Sequence, residues 1–174
     1  MDRFLTLVNA LNLDDVRYLV IGVWAANYYA RGASLVFHTK DRDLFLPADA
    51  DNLVRCWNAC DSSGLSLWSG DEPLDSPRDR WLAERVIERR AAVRAADDHG
   101  MEVDLSLVMA DLEFEAVWSR RRTFTVDGIE ISVARLADVV TAKERVGRYK
   151  DRLFLATHRE ALQELLDREA REPS

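Results

Sequence analysis

Apolar positions change their period several times along the chain, and each change marks an element. In residues 2–13, Phe4, Leu5, Leu7, Val8 and Leu11 recur at helical spacing, which predicts an N-terminal helix covering a sheet. Residues 17–21 form a short β-branched and aromatic run ended by Gly22, the pattern of a buried strand that turns sharply. Helical spacing returns over residues 23–31 through Trp24, Ala25, Tyr28 and Tyr29, and Gly32 is expected to cap that helix. A second strand is predicted over residues 38–47. After it, an amphipathic crossover helix over 48–62 turns Leu53, Val54, Cys56, Trp57 and Cys60 inward before Ser63-Gly64 stops it.

Residues 65–68 predict a short strand and 70–80, with Asp71, Pro73, Asp75 and Pro77, a loop. A helix over 81–90 would bury Leu82, Val86 and Ile87 and leave Arg85, Arg89 and Arg90 on a solvated face. Residues 91–96 and 101–108 flank Asp97-Asp98-His99-Gly100 as a hairpin. Its second strand sends Val103, Leu105 and Leu107 to the core and Glu102, Asp104 and Ser106 to the opposite face. A helix is expected over 111–121, ending in Arg120-Arg121-Arg122, cations that complement its dipole, and a second hairpin turns at Asp127-Gly128. An amphipathic helix over 135–146 and a packing helix through Leu153, Leu155, Leu162, Leu165 and Leu166 follow, with residues 168–174 expected to fray. This order predicts an α/β (α+β) fold: a mixed β-sheet flanked by helices, with residues 1–134 as core and 135–174 as a C-terminal helical segment packed on it in a single compact unit.

The second strand opens on acids. Alternate strand side chains share a face, so Asp41 and Asp43 point the same way, and two such charges repel unless a cation lies between them. Magnesium takes hard oxygen ligands, commonly one or two carboxylates plus phosphate oxygens, which suits this pair. The Gly22 turn ahead of a helix would supply backbone N–H groups and a positive dipole end for phosphate. Equal spacing also occurs at Asp49/Asp51, Glu102/Asp104 and Glu113/Glu115, so on spacing alone the pair reads equally as a solvated strand end.

Taken together, Ile21-Gly22-Val23-Trp24-Ala25, Thr39-Lys40-Asp41-Arg42-Asp43-Leu44-Phe45-Leu46, the acidic strand at residues 101–108 and the late segment Lys143 to Asp151 resemble the minimal nucleotidyltransferases of the polymerase-β-like superfamily, particularly the bacterial AbiEii-like and related small proteins. The resemblance spans most of the chain and implies a nucleotidyltransferase fold. It implies metal ligation by Asp41 and Asp43 with Mg2+ or Mn2+, and Asp104 as third ligand or base. An NTP would lie on Gly22, Val23 and Thr39, with Lys143 and Lys150 on its phosphates. Relatives act on tRNA ends, protein hydroxyls or small molecules, and several are toxins of toxin–antitoxin pairs, so an antitoxin is an implied partner. Two positions depart from the pattern. Val23 stands where a second Gly or Ser lets the backbone approach phosphate, and Arg42 stands where an apolar residue separates the aspartates. Arg42 is expected to leave the opposite strand face less buried, and to neutralise an acid or reach a ligand.

Composition trims the alternatives. The 174 residues suffice for a core, and a net charge of −7 disfavours indiscriminate nucleic-acid binding, which needs a broad basic surface. Cys56 and Cys60 read as small packing residues, the three histidines are scattered, and no apolar run reaches the roughly 20 residues that span a bilayer. With no signal-like start, a cytoplasmic location is expected. Two further readings stay open: a catalytically inactive protein that binds nucleotide or a partner, and a metal-dependent nuclease.

Overall fold

In the computed structural model, which describes residues 2–172, the first helix begins where its cap requires. The Asp2 carboxylate accepts from the amides of Phe4 and Leu5, and α1 (Arg3–Leu13) buries Phe4, Leu5, Leu7, Val8 and Leu11. Strand β1 (Leu19–Ile21) is buried throughout and runs directly into α2 (Gly22–Ala30). One 3-10 turn (Arg31–Ala33) extends α2, and it is Ser34, at φ +54°, not Gly32, that takes the left-handed position closing it. Strand β2 (Arg42–Phe45) starts later than the pattern suggested, because Asp41 sits in a turn whose amide donates to Thr39 Oγ1 at 3.1 Å. Helix α3 (Ala50–Ser62) is capped by Asp49, and buried Cys56 and Cys60 are unbridged in its apolar stripe.

Strand β3 (Ser66–Ser69) pairs with a two-residue strand, β4 (Glu72–Pro73), inside the stretch expected to be loop. Helix α4 (Arg80–Arg89) follows, then β5 (Val93–Ala96) and β6 (Glu102–Ser106) form the first hairpin. Helix α5 (Phe114–Ser119) is shorter than its periodicity suggested, since Leu112 is drawn into a bridge with Met109. Strands β7 (Arg122–Val126) and β8 (Ile129–Val133) form the hairpin at Asp127-Gly128. Of the three arginines ending α5, Arg120 makes a two-pronged bond to Asp138, Arg121 covers the Trp118 ring at 3.7 Å, and Arg122 belongs to β7.

The eight strands form one mixed sheet in the order β4-β3-β5-β6-β2-β1-β8-β7. At its centre β2 is antiparallel to β1 and parallel to β6, and both pairings run along β2 to Phe45. Buried Asn52 pins this centre to α3 by accepting from the Arg17 amide at 2.8 Å and donating to the Arg17 carbonyl at 3.0 Å.

Three helices complete the chain: α6 (Leu136–Val146), α7 (Tyr149–Thr157) and α8 (Arg159–Arg171). The single packing helix expected after Gly147 is thus two, broken at His158, whose ring packs between Phe37 and Phe154 with centroids 4.9 Å from each. Leu153 faces outward on α7. Leu136, Leu162 and Leu165 close a second apolar cluster with Ala26, Ala30 and Phe37, so the C-terminal segment packs on α2. Fraying from residue 168 does not occur up to Arg171, because Glu169 is buried and accepts from the amides of Leu136 and Ala137 at 2.8 and 3.1 Å; residues 173–174 lie outside the described residues. A carboxylate on a helix N-terminus is favoured by both the free amides and the dipole. Glu169→Gln keeps the shape but halves the acceptors, and is expected to lower unfolding free energy by about 1–3 kcal/mol in urea titrations. An unchanged midpoint would show that α8 does not fix α6.

Candidate active site

Three neighbouring strand positions build the site. Ile21 is paired with Asp43 across β1 and β2, and Asp43 with Asp104 across β2 and β6, so Gly22, Asp43 and Asp104 stand side by side. Gly22 adopts φ +71°, and a Cβ there would lie 3.0 Å from Asp43 Oδ2, so only glycine permits both the turn and the approach of the carboxylate. No side chain caps α2, and its first-turn amides, Val23 included, open beside Asp43. Asp41 is exposed at the edge, held by the Thr39 turn. Asn27 fixes the loop that carries Thr39, donating to the Phe37 carbonyl at 2.9 Å and accepting from its amide at 2.7 Å.

Burial pushes the Asp43 carboxyl up to about 6, with Asp104 and Asp41 adding repulsion and a hydrogen bond with Asp104, while Lys150 pulls the other way. Asp104 is also bound from its far side: Arg94 Nε on β5 donates to Asp104 Oδ1 at 2.9 Å, and Arg94 Nη1 lies 3.4 Å from Glu102 Oε2. Across the cleft, Lys143 and Arg148 both hold Asp151, at 3.3 and 2.9 Å. Burial pushes Asp151 up, but the Arg148 hydrogen bond and Lys143 outweigh it and leave the carboxyl below its ordinary value. Among the described residues Lys150 has no carboxylate at ion-pair distance. Arg42 does not enter this cleft: its guanidinium lies 4.1 Å from the Trp24 ring and 5.9 Å from Phe4, so aromatic planes cover the strand face expected to be less buried.

Two adjoining cavities share Gly22, Asp41, Asp43, Lys143 and Lys150. The smaller, about 350 Å³, adds Val23 and Thr39 and continues along α7 past Phe154 to His158. The larger, about 620 Å³, lies on the Asp104 and Arg94 side over an apolar floor that includes Leu105, Met109 and Val139. All eight residues singled out from the sequence therefore line one or both. The chain matches no protein-family model and no curated protein.

Among the described residues no three His, Cys, Asp or Glu side chains form a ready-made metal cage. The donor set still fits a hard divalent cation completed by phosphate oxygens: it offers carboxylate oxygens alone, two of them pressed together at a partly desolvated place. Two participants escaped sequence reasoning. Arg94 faces Asp104 because the Asp97 carboxylate accepts from the amides of His99 and Met101 and the Asp97 amide bonds the Met101 carbonyl, which makes the turn five residues long. A four-residue turn would have opposed Arg94 to Val103 instead. The role of Asp151 as the shared counter-ion of Lys143 and Arg148 had no signal beyond its place after Lys150.

The raised Asp43 sets a pH dependence. Between its ordinary value of 3.8 and about 6 the unfolded carboxyl has released its proton while the native one retains it, so stability falls as pH rises through that window. The loss corresponds to about 2–3 kcal/mol. In metal-free buffer Asp43→Asn is expected to abolish this slope and to be more stable than wild type at pH 7, measured by urea unfolding at half-unit pH steps. Parallel wild-type and variant curves would mean that neither burial nor repulsion raises Asp43.

Proposed function

We propose that this protein is a magnesium-dependent nucleotidyltransferase of the polymerase-β-like kind, moving a nucleoside monophosphate from an NTP to an acceptor hydroxyl and releasing pyrophosphate. The observation that carries the reading is the juxtaposition of Gly22, at the end of β1, with Asp43 and Asp104 on the two neighbouring strands, opposite Lys143, Arg148 and Lys150. Asp41 and Asp43 would hold Mg2+ or Mn2+ and, through it, the triphosphate. A divalent cation there supplies charge neutralisation at the phosphorus oxygens and the leaving pyrophosphate. The uncapped first turn of α2 receives phosphate oxygens, and Lys150, unpaired across the cleft, adds a cation. Lys143 contributes with its charge already shared with Asp151. The acceptor oxygen attacks the α-phosphorus and the bond to pyrophosphate breaks, with the hydroxyl proton passing to Asp104 or, where Asp104 instead holds a second cation, to water. Positioning and charge carry such chemistry, so no nucleophilic Ser, Cys or His is needed.

The smaller cavity suits the nucleotide, since cations lie at one end and the Phe154 and His158 rings at the other. The larger one, on the Asp104 side, suits the acceptor: a tRNA end, a protein hydroxyl or a small molecule, with the toxin role of a toxin–antitoxin pair as one setting. A second reading, nucleotide or partner binding without turnover, draws support from Val23 in the phosphate turn and from the hold of Arg94 on Asp104. No helix among the described residues is long and apolar enough to cross a membrane.

Binding of each labelled NTP with Mg2+, followed by transfer with total tRNA and cell extract, separates the readings. Wild type is expected to bind in a metal-dependent way and to label an acceptor, and Asp41→Ala/Asp43→Ala to lose at least tenfold in affinity and all transfer, as loss of charge-assisted contacts implies. Metal-dependent binding without any labelled acceptor favours the second reading. Absence of NTP binding by wild type removes the enzyme reading and leaves only partner binding.

A further inference from the structure

Asp104 lies between two claimants. On one side is Asp43 of β2, its register partner, and on the other is Arg94 of β5, also its register partner. The guanidinium of Arg94 touches two carboxylates at once, Nε on Asp104 Oδ1 at 2.9 Å and Nη1 near Glu102 Oε2 at 3.4 Å. Glu102 and Asp104 alternate along β6 and therefore share a face, roughly 7 Å apart along the strand. Asp104 leans inward to Asp43, whereas Glu102 lies at the outer end of the strand and is exposed.

We propose that Arg94 and Glu102 are positioning residues that govern whether a cation can occupy Asp104: Arg94 is its resting counter-ion, and Glu102 is the carboxylate onto which that guanidinium withdraws. The inference rests on the nucleotidyltransferase reading, in which Asp104 serves the acceptor side. Arg94 and a divalent cation compete for the same carboxylate, because like charges at one oxygen pair repel. Withdrawal needs only side-chain rotation, since the second contact already exists and Arg94 is half-exposed. Swapping one exposed partner for another changes little energy, so the exchange is easily driven by an arriving cation. The first cation position, Asp41 with Asp43, lies on the other side of Asp104 and does not contact the Arg94 guanidinium, so the exchange acts first on Asp104. Loading is thereby ordered, with the acceptor side of the site completed last.

The test is Mn2+ titration of the full chain, with free Mn2+ read by electron paramagnetic resonance, for wild type, Arg94→Gln, Glu102→Gln, the double variant and Asp41→Ala/Asp43→Ala. Arg94→Gln is expected to tighten the weaker Mn2+ site about fivefold, and Glu102→Gln to weaken it about twofold to fivefold, within the usual range of coupling between neighbouring sites. In the Arg94→Gln background Glu102→Gln is expected to change nothing, because its effect passes through Arg94. Additive effects would mean that Glu102 acts on the cation directly and overturn the proposal. So would unchanged Mn2+ affinity in both single variants, the result if the Arg94 ion pairs only brace the hairpin, or weaker NTP binding by Arg94→Gln at unchanged Mn2+ affinity, the result if Arg94 is a phosphate ligand. Mn2+ binding that Asp41→Ala/Asp43→Ala abolishes but Arg94 and Glu102 leave untouched sinks this inference alone. No Mn2+ binding lost in Asp41→Ala/Asp43→Ala sinks the parent reading with it.

Discussion

Everything in the cleft follows from two carboxylates forced against each other at the centre of a sheet. Asp43 and Asp104 are fixed in register by parallel strands, so their backbones cannot separate without breaking the β2–β6 ladder. Burial and repulsion together lift Asp43 to about 6. The surrounding sequence answers that stress locally: Gly22 gives up a side chain so that Asp43 fits, Lys150 offsets part of the rise, and Arg94 donates to Asp104 from its outer side. A fold that served stability alone would place apolar residues here, since removing the charges costs less than burying them. The destabilised pair is retained strain of the kind expected where a cation or substrate is to be bound.

The opposite wall of the cleft is built by α6, α7 and α8. Glu169 caps the first turn of α6, Leu162 and Leu165 seat α8 on α2, and Asp151 gathers Lys143 and Arg148. Lys143 and Arg148 are therefore held by Asp151, whereas among the described residues Lys150 has no carboxylate at ion-pair distance. The helix that begins at Gly22 belongs to both walls, because its first turn opens on Asp43 and its Ala26 and Ala30 receive the C-terminal helices. That one element thus joins the carboxylate side of the cleft to the C-terminal segment.

Local patterns revealed most of the elements and the aspartates. The period-two alternation of Val103 and Leu105 fixed the face of Asp104, and the apolar stripes of α1 and α3 read directly as core. What stayed hidden depended on register and on distant partners. The five-residue turn held by Asp97 decides that Arg94 meets Asp104, and turn length is not written in periodicity. The packing of Arg42 on Trp24 needed α2 to fold back over β2, and the break at His158 needed Phe37 from a loop more than a hundred residues away. Glu169 looked like one more acid in a polar helix end until the N-terminus of α6 arrived to use it.

In the proposed function, Asp41 and Asp43 share a cation with the phosphates of a nucleotide lying against Gly22. Diffraction from crystals soaked with Mn2+ and a non-hydrolysable NTP analogue, recorded where manganese scatters anomalously, addresses it most directly. The expected result is an anomalous peak about 2.1 Å from oxygens of both aspartates, with phosphate density against the first turn of α2. A nucleotide bound away from Gly22, or manganese held only by other acids such as Asp49 and Asp51, would contradict it.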